Sequence, residues 1–241
     1  MIDKSFVEKI ESMSVPFIYR NAENDIEYSD KKLVPICPPQ ASALILNSLS
    51  AVIDYCREEL EAGESYVLHV RNHTEVVLMS RLDERYRTRE ILVAANAFES
   101  KFAFGRFMPV ESFIIALQAH FVRDETVDNI LKLVGNMTSS RELGTKDDGV
   151  TQRVEARVGL AKVENISVPN PVTLAPYRTF IEVDQPHSDF ILRMNSDHEC
   201  ALFEADGGFW KINAIREVQS YLILEIGELL EGIRSRITIL A

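Results

Sequence analysis

The sequence predicts an α+β fold, in which N-terminal helices and a β meander precede a C-terminal antiparallel β-rich region packed on a terminal helix. Three patterns carry this prediction. Apolar residues recur at helical spacing in several separate segments. Strand-forming runs follow one another between residues 66 and 95. A further cluster of short β-rich runs, separated by Asn, Pro and Gly turns, lies between Val168 and Trp210.

The composition limits the class of protein. The chain has 241 residues and a net charge of -11, from 37 acidic and 26 basic side chains. This balance repels nucleic-acid phosphates, so we expect no nucleic-acid partner. No apolar run is long enough to cross a bilayer, and we expect no membrane partner. The three cysteines form no CxxC pair, which favours a reducing cytosol. We expect neither a metal nor a cofactor.

The first segment, residues 1–39, is predicted to be an N-terminal arm or a poorly ordered segment. It mixes charged residues with a proline-rich exit at Pro35, Pro38 and Pro39. Such an arm could lie on a neighbouring copy and serve assembly. A loosely attached terminus is the simpler interpretation.

Residues 40–137 are predicted to be a helix and β-meander region. The first helix begins after Asn47 or Ser48 as N-cap, and its apolar stripe includes Cys56 as a core thiol. The meander consists of the runs YVLHVR, EVVLMSR and EILVAA. Two more helices follow, one starting at Pro109 and one capped by Asp124.

Residues 150–241 are predicted to be a β-rich region with a C-terminal helix and strand. An alternative is that this region and residues 40–137 form one intertwined domain. The region opens with an alternating strand from Val150 to Val158. At its end, Asn213 is predicted to cap the last helix, and RITILA to pair as a closing strand.

Local turn chemistry gives two further predictions within this region. Asp206-Gly207 lies between apolar runs, and Asp-Gly in that position is typical of a two-residue β hairpin. The second strand of this hairpin is predicted from Phe209 to Ile212. The run from Thr179 to Val183 is also predicted to be a strand.

The sequence lacks the common catalytic motifs, so we predict no catalytic residues and a protein that is not an enzyme. One acidic group could hold Mg²⁺ for phosphoryl chemistry, with Lys211 as the one lysine at a suitable place. We favour solvated charges at strand ends as the explanation of this group. Its members are Glu182, Asp184, Glu204 and Asp206.

Two other polar groups are explained without a binding or catalytic role. The run from Asp197 to Cys200, with His187 nearby, has the residue types of metal ligands without their spacing. An arginine-rich turn around Tyr86 could touch phosphates, but its acidic neighbours cancel most of the charge, which favours a surface ion-pair network. The basic residues of this turn are Arg81, Arg85, Arg87 and Arg89, and the acidic ones are Asp83, Glu84 and Glu90.

Four segments of the chain, taken together, resemble a known family. They are FGRFMPVESFIIALQAHFV, DDGVTQRVEARVGLAKVENISVPNPVTLAPYRTF, EVDQP and ALFEADGGFWKINAI. They are similar to the phage and prophage family known by the YfdQ protein, a family of unknown function, over roughly Leu44 to Ala241. The resemblance implies a phage-encoded accessory protein in the cytoplasm of the infected bacterial host. It carries over no catalytic residue.

Three classes of function follow as expectations. The favoured one is a non-enzymatic accessory protein that forms a homo-oligomer and binds a host or phage protein or a small ligand. The first alternative is a capsid-like shell or cage-forming structural protein, which rests on fold-level analogy. The second alternative is a nucleic-acid recombination accessory or nuclease, which the acidic charge disfavours.

If the protein has one binding site, the sequence predicts it where polar side chains lie next to turns of fixed conformation. The expected rim consists of Asn170, Tyr177, Arg178, Glu204 and Asp206. The structural alternative is that Arg178 pairs with one of these carboxylates and pins the sheet.

Overall fold

The computed structural model describes residues 3–21, 26–29, 40–84, 87–138, 143–147, 151–156, 167–195 and 197–241. The chain divides into two compact units. The first comprises Met1–Gln40 and Asp83–Thr88, and the second comprises Ala41–Leu82 and Arg89–Ala241.

In the first unit, a helix precedes a small β hairpin. The helix is α1 (Lys4–Ser14), and the hairpin pairs β1 (Ile18–Asn21) with β2 (Ile26–Ser29) in antiparallel register. None of the residues of α1 is buried.

The second unit contains all the other described elements. Along the chain these are β3 (Leu44–Leu46), α2 (Leu49–Glu58), β4 (Tyr66–Asn72), β5 (Glu75–Ser80), β6 (Ile91–Asn96), β7 (Met108–Pro109), α3 (Val110–His120), α4 (Glu125–Thr138), β8 (Leu143–Asp147), β9 (Thr151–Ala156), β10 (Ser167–Pro169), β11 (Val172–Leu174), β12 (Ser188–Met194), β13 (Glu199–Glu204), α5 (Trp210–Gly227), α6 (Glu231–Arg234) and β14 (Ile237–Leu240).

A mixed five-stranded sheet carries the first core of this unit. Its strand order is β14-β4-β5-β6-β3, with β4, β5 and β6 as an antiparallel meander and the two outer strands parallel to their neighbours. The predicted meander and the predicted closing strand at RITILA are therefore confirmed. One face of the sheet packs against α2 and α5, and the shared core is mainly aliphatic.

The start of α2 shows why the helix begins where it does. The Ser48 side chain accepts a hydrogen bond from the backbone N–H of Ala51 at 3.3 Å, as the capping prediction required. The Glu182 carboxylate adds to this cap, because its Oε1 accepts from Leu49 N–H at 2.7 Å. The predicted core thiol Cys56 is fully buried, and burial raises its pKa to about 12.

A second, antiparallel sheet carries the other core. Its strand order is β11-β12-β13-β7, and α3 and α4 pack on it around a group of phenylalanine rings. Asp124 caps α4 as predicted, since its Oδ1 accepts from Val127 N–H at 2.8 Å. A three-stranded antiparallel sheet, β10-β9-β8, contains the strand predicted near residues 150–158.

The predictions for the segment around Asp206 are wrong. The Asp206-Gly207 turn does not connect two strands, because the chain passes from β13 through a turn directly into α5. Asp206 Oδ1 accepts from Gly208 N–H at 3.0 Å, and both glycines have positive φ, at 62° and 83°. The helix thus begins at Trp210, before the predicted cap at Asn213.

The predicted strand from Thr179 to Val183 is also wrong. This segment is a loop in which Phe180 and Val183 are buried in the aliphatic core while Ile181 is 81% exposed. Its apolar residues anchor the loop and do not pair in a sheet.

The α+β class itself is confirmed. Within the described residues there are six helices, and the C-terminal helix α5 packs against strands. None of the described helices combines the length and the apolar character that crossing a membrane requires.

Candidate functional site

The second unit contains a cavity of about 310 Å³ beside Arg178. We call it the Arg178 cavity. Loops, strand ends and the first turn of α5 supply its walls. The residues that line it are His73, Glu99, Ser100, Phe102, Phe104, Arg178, Glu204, Trp210 and Lys211.

A single glutamine side chain fixes the loop that carries Arg178. Gln185 is buried, and its Oε1 accepts from the backbone N–H groups of Arg178 and Thr179 at 2.9 and 3.3 Å. Its Nε2 donates to the carbonyls of Phe180 and Val183 at 3.0 and 3.2 Å. Gln185 therefore connects the backbone on both sides of the loop through hydrogen bonds and holds the Arg178 backbone in place.

The Arg178 guanidinium lies among aromatic rings, and the residue as a whole is only 6% exposed. Its Cζ is 4.3 Å from the centre of the Trp210 ring, 4.8 Å from that of Phe104 and 5.1 Å from that of Phe190. Rings at these distances attract a cation through their negative faces, and the attraction is strongest where water is excluded.

The polar contacts of this guanidinium are incomplete. Nη1 donates to Ser188 Oγ at 3.2 Å. Nη2 lies 3.0 Å from Glu204 Oε1, which is an ion-pair distance, yet Nη2 is buried and has no hydrogen-bond acceptor among the described residues. The two observations agree if the N–H bonds of Nη2 do not point at the carboxylate. We take the pair as Coulombic attraction without a hydrogen bond, which leaves donor capacity for another acceptor.

Charge in the cavity is balanced between the two signs. Burial lowers the pKa of Arg178, and the carboxylates of Glu204 and Asp206 oppose that shift. Burial also lowers the pKa of His73 below its ordinary value of 6.5, against the opposing effect of Glu99, so His73 is mainly neutral at pH 7.

His73 and Lys211 frame the indole of Trp210. The His73 ring centre lies 4.8 Å from that of Trp210, with the two planes at 83°, and its Nε2 is 3.7 Å from Glu99 Oε1. Lys211 Nζ lies 5.7 Å from the centre of the indole. The cavity thus combines flat aromatic walls with a few polar groups, the usual composition of a small-molecule site.

The structure brings only part of the predicted rim together. Arg178 and Glu204 line the cavity, and Asp206 acts on Arg178 electrostatically from the adjoining turn. Asn170 instead accepts from Leu192 N–H at 3.2 Å, and so joins the entrance of β11 to β12. Tyr177 is 36% exposed and, like Asn170, does not line the cavity.

Sequence reasoning missed several residues of the cavity. His73 was not connected with Arg178, and Trp210 was assigned to a strand, whereas this residue begins α5. Both come to Arg178 through tertiary packing, since the β4–β5 turn, the loop before β7 and the start of α5 are far apart in sequence. The sequence alone carried no signal of that proximity.

Three of the four carboxylates considered for Mg²⁺ have separate roles, and the fourth, Asp184, is exposed. Glu182 caps α2, Glu204 pairs with Arg178, and Asp206 holds the turn before α5. No cluster of three or more metal-ligating side chains occurs in the part of the chain that the structure describes. Of the arginine-rich turn, Arg85 and Tyr86 lie outside the described residues.

Comparison of the chain with protein-family models, with curated proteins and with solved structures finds no match.

Proposed function

We propose that this chain is a non-enzymatic binding protein that holds a small planar anion in the Arg178 cavity. The observation that supports the proposal is the buried Arg178 Nη2 beside a cavity with aromatic walls. The described residues give this atom an ion-pair partner in Glu204 but no hydrogen-bond acceptor. A buried donor without an acceptor is costly, and a ligand that supplied one would recover that free energy on binding.

The cavity limits the size and shape of such a ligand. Its volume of about 310 Å³ corresponds to about ten water-sized groups. Phe102, Phe104 and Trp210 offer flat surfaces for a ring, and Arg178 offers a planar donor for a carboxylate or phosphate. An aromatic acid or an aromatic phosphate satisfies both requirements.

In the same proposal, the protein acts as a phage accessory factor of the YfdQ-like kind and assembles with copies of itself. The support for assembly is α1, where Phe6, Val7 and Ile10 remain between 43% and 55% exposed. An isolated helix of this length is marginal in water, so an exposed apolar stripe favours a packing partner. A second copy of the chain would supply one.

Calorimetry with benzoate, phenyl phosphate and neutral benzamide tests the binding proposal. We expect benzoate or phenyl phosphate to bind and benzamide to bind at least about tenfold more weakly, since only the anions pair with Arg178. The two anions distinguish a carboxylate site from a phosphate site. Equal affinity for benzamide, or no binding of either anion, would contradict the proposal.

The variant Glu204→Gln distinguishes a ligand site at Arg178 from a purely structural role of Arg178. If Glu204 competes with a bound anion for Arg178, removing its charge tightens benzoate binding by about threefold to tenfold. If Arg178 only pins the sheet, the same variant leaves the affinity unchanged or lowers it. Glu217→Gln on the exposed face of α5 is the matched control.

Light scattering tests the assembly. We expect a small oligomer for the unaltered chain and a lower native mass for Ile10→Asp, because the charge disrupts the apolar stripe of α1. A large closed particle would support the cage alternative instead. A monomeric unaltered chain would contradict self-assembly.

A further inference from the structure

A second concave surface lies at the edge of the five-stranded sheet, within the second unit. It is a groove of about 680 Å³ between α2 and the adjoining strands β3 and β6. We call it the α2–β3 groove. It shares no lining residue with the Arg178 cavity.

The floor of the groove is apolar. Leu44 and Leu46 come from β3, Ile91 and Leu92 come from β6, and Ala51 comes from α2. Leu44 is 52% exposed, although it points from a strand toward a helix-covered face. Apolar surface of this kind at a sheet edge is typical of a place where another chain packs.

The rim of the groove is acidic. Asp54, Glu58, Glu59 and Glu90 line it, and none of the described residues that line it is Lys or Arg. Asp54 pairs with Arg57 at 2.7 Å, whereas the three glutamates make no ion pair with another described residue. The nearby Arg89 directs its Nη1 to the Ser80 carbonyl at 3.4 Å.

The field of this rim acts on Tyr55, which also lines the groove. Burial raises the pKa of Tyr55, and the carboxylates of Glu59 and Glu90 raise it further. Two glutamates from separate elements thus act on the same point inside the groove. A cation placed there would be attracted by both.

The sheet edge supplies backbone groups as well. Among the described strands, β3 pairs only with β6, in parallel register from Leu44 beside Val93 to Leu46 beside Ala95. The opposite edge of β3 therefore offers backbone donors and acceptors for an added strand.

We propose that the α2–β3 groove binds an extended basic peptide segment of a partner protein, whose groove-facing side chains, at every second position, are apolar at one end and lysine or arginine at the other. The peptide adds a strand beside β3. Its apolar side chains lie against the Leu44 and Leu46 side of the groove, and its cations pair with Glu58, Glu59 and Glu90. Charge complementarity selects this partner over an acidic or a purely apolar one.

Fluorescence anisotropy with labelled synthetic peptides tests this inference on the full chain. In the lysine–leucine probe, every second residue faces the groove and is leucine in one half and lysine in the other, with serine at the positions between. The lysine–serine control replaces the leucines by serine, and the glutamate–leucine control replaces the lysines by glutamate. We expect the lysine–leucine peptide to bind, the lysine–serine peptide to bind at least about tenfold more weakly because it lacks apolar contacts, and the glutamate–leucine peptide not to bind. Equal binding of the two lysine peptides would overturn the proposal, because charge alone would then explain it.

Variants of the chain locate the binding. Glu58→Gln with Glu59→Gln should weaken the lysine–leucine peptide by about tenfold, from the loss of two exposed charge pairs. Glu225→Gln with Glu228→Gln, at the last turn and the C-cap of α5, is the matched control and should change nothing. Ala51→Trp fills the groove without removing charge and should also abolish binding. Unchanged affinity in both groove variants would overturn the assignment.

A backbone-methylated lysine–leucine peptide tests the added strand. Methylation of alternate amides removes the donors that face β3, and we expect binding to fall by about tenfold or more. If the methylated peptide binds as well as the unmodified one, the peptide does not extend the sheet and the proposed mode is wrong.

Discussion

The Arg178 cavity and the α2–β3 groove lie in the same unit, but they differ in how their charged side chains are compensated. In the cavity a guanidinium is buried among aromatic rings with one counter-ion at 3.0 Å. In the groove three glutamates stand at an apolar surface with no described cation in ion-pair range. A buried charge must be compensated within the fold, whereas exposed charges keep most of their hydration. We therefore expect the cavity, and not the groove, to be coupled to the stability of the fold.

The largest expected effect is on Arg178. Arg178→Ala removes the contacts with three aromatic rings, and we expect the free energy of unfolding to fall by about 3 kcal/mol. Denaturant unfolding measures this. Arg216→Ala, on the exposed face of α5, is the control and should change stability by less than about 0.5 kcal/mol. Equal effects of the two variants would show that the cavity is not coupled to the fold.

Gln185→Leu should have the next largest effect. The variant keeps the size of the side chain but leaves two backbone N–H groups and two carbonyls without their partner. We expect a loss of about 2 kcal/mol in the free energy of unfolding. Hydrogen exchange should show faster exchange of the Arg178 and Thr179 amides. Unchanged exchange there would mean that other contacts hold the loop.

The pH dependence of stability should carry a contribution from His73. Its pKa is lowered in the folded chain, so the unfolded chain takes up this proton first as the pH falls below 6.5. Stability that is present above pH 6.5 is then lost as the pH falls toward the lowered pKa. Denaturant unfolding at several pH values should show a shallower acid-side slope for His73→Gln than for the unaltered chain. An identical slope would contradict the assignment.

The smallest effect is expected in the groove. Glu58→Gln with Glu59→Gln should change the free energy of unfolding by less than about 0.5 kcal/mol, because both side chains are exposed. A large loss of stability would contradict the expected difference between the cavity and the groove. It would show that the acidic rim supports the fold.

Local signals account for the parts of the fold that the sequence predicted. The β4–β6 meander follows from strand-forming runs, and the caps at Ser48 and Asp124 follow from hydrogen bonds made within one turn. The start of α5 was missed because Asp206-Gly207 resembles a hairpin turn. Yet Trp210, Ala214 and Val218 are all buried at a spacing of four, the helical signal that competed with it.

The candidate site was predicted only in part, and for a physical reason. Arg178 and Glu204 were identified because charged residues beside fixed turns stand out in a sequence. The groups that define their surroundings are His73, Phe104 and Trp210, which come from three separate elements. This proximity results from the packing of the two cores, and a single sequence does not show directly which residues that packing brings together.

Tryptophan fluorescence tests most directly whether Arg178 receives an anion. Trp210 is the single tryptophan of the chain, and its ring lies 4.3 Å from the Arg178 guanidinium. Titration with benzoate should give a saturable change in Trp210 fluorescence that benzamide does not produce and that Glu204→Gln shifts to lower benzoate concentration. No saturable change, or the same change with benzamide, would contradict the account and leave Arg178 as a structural pin.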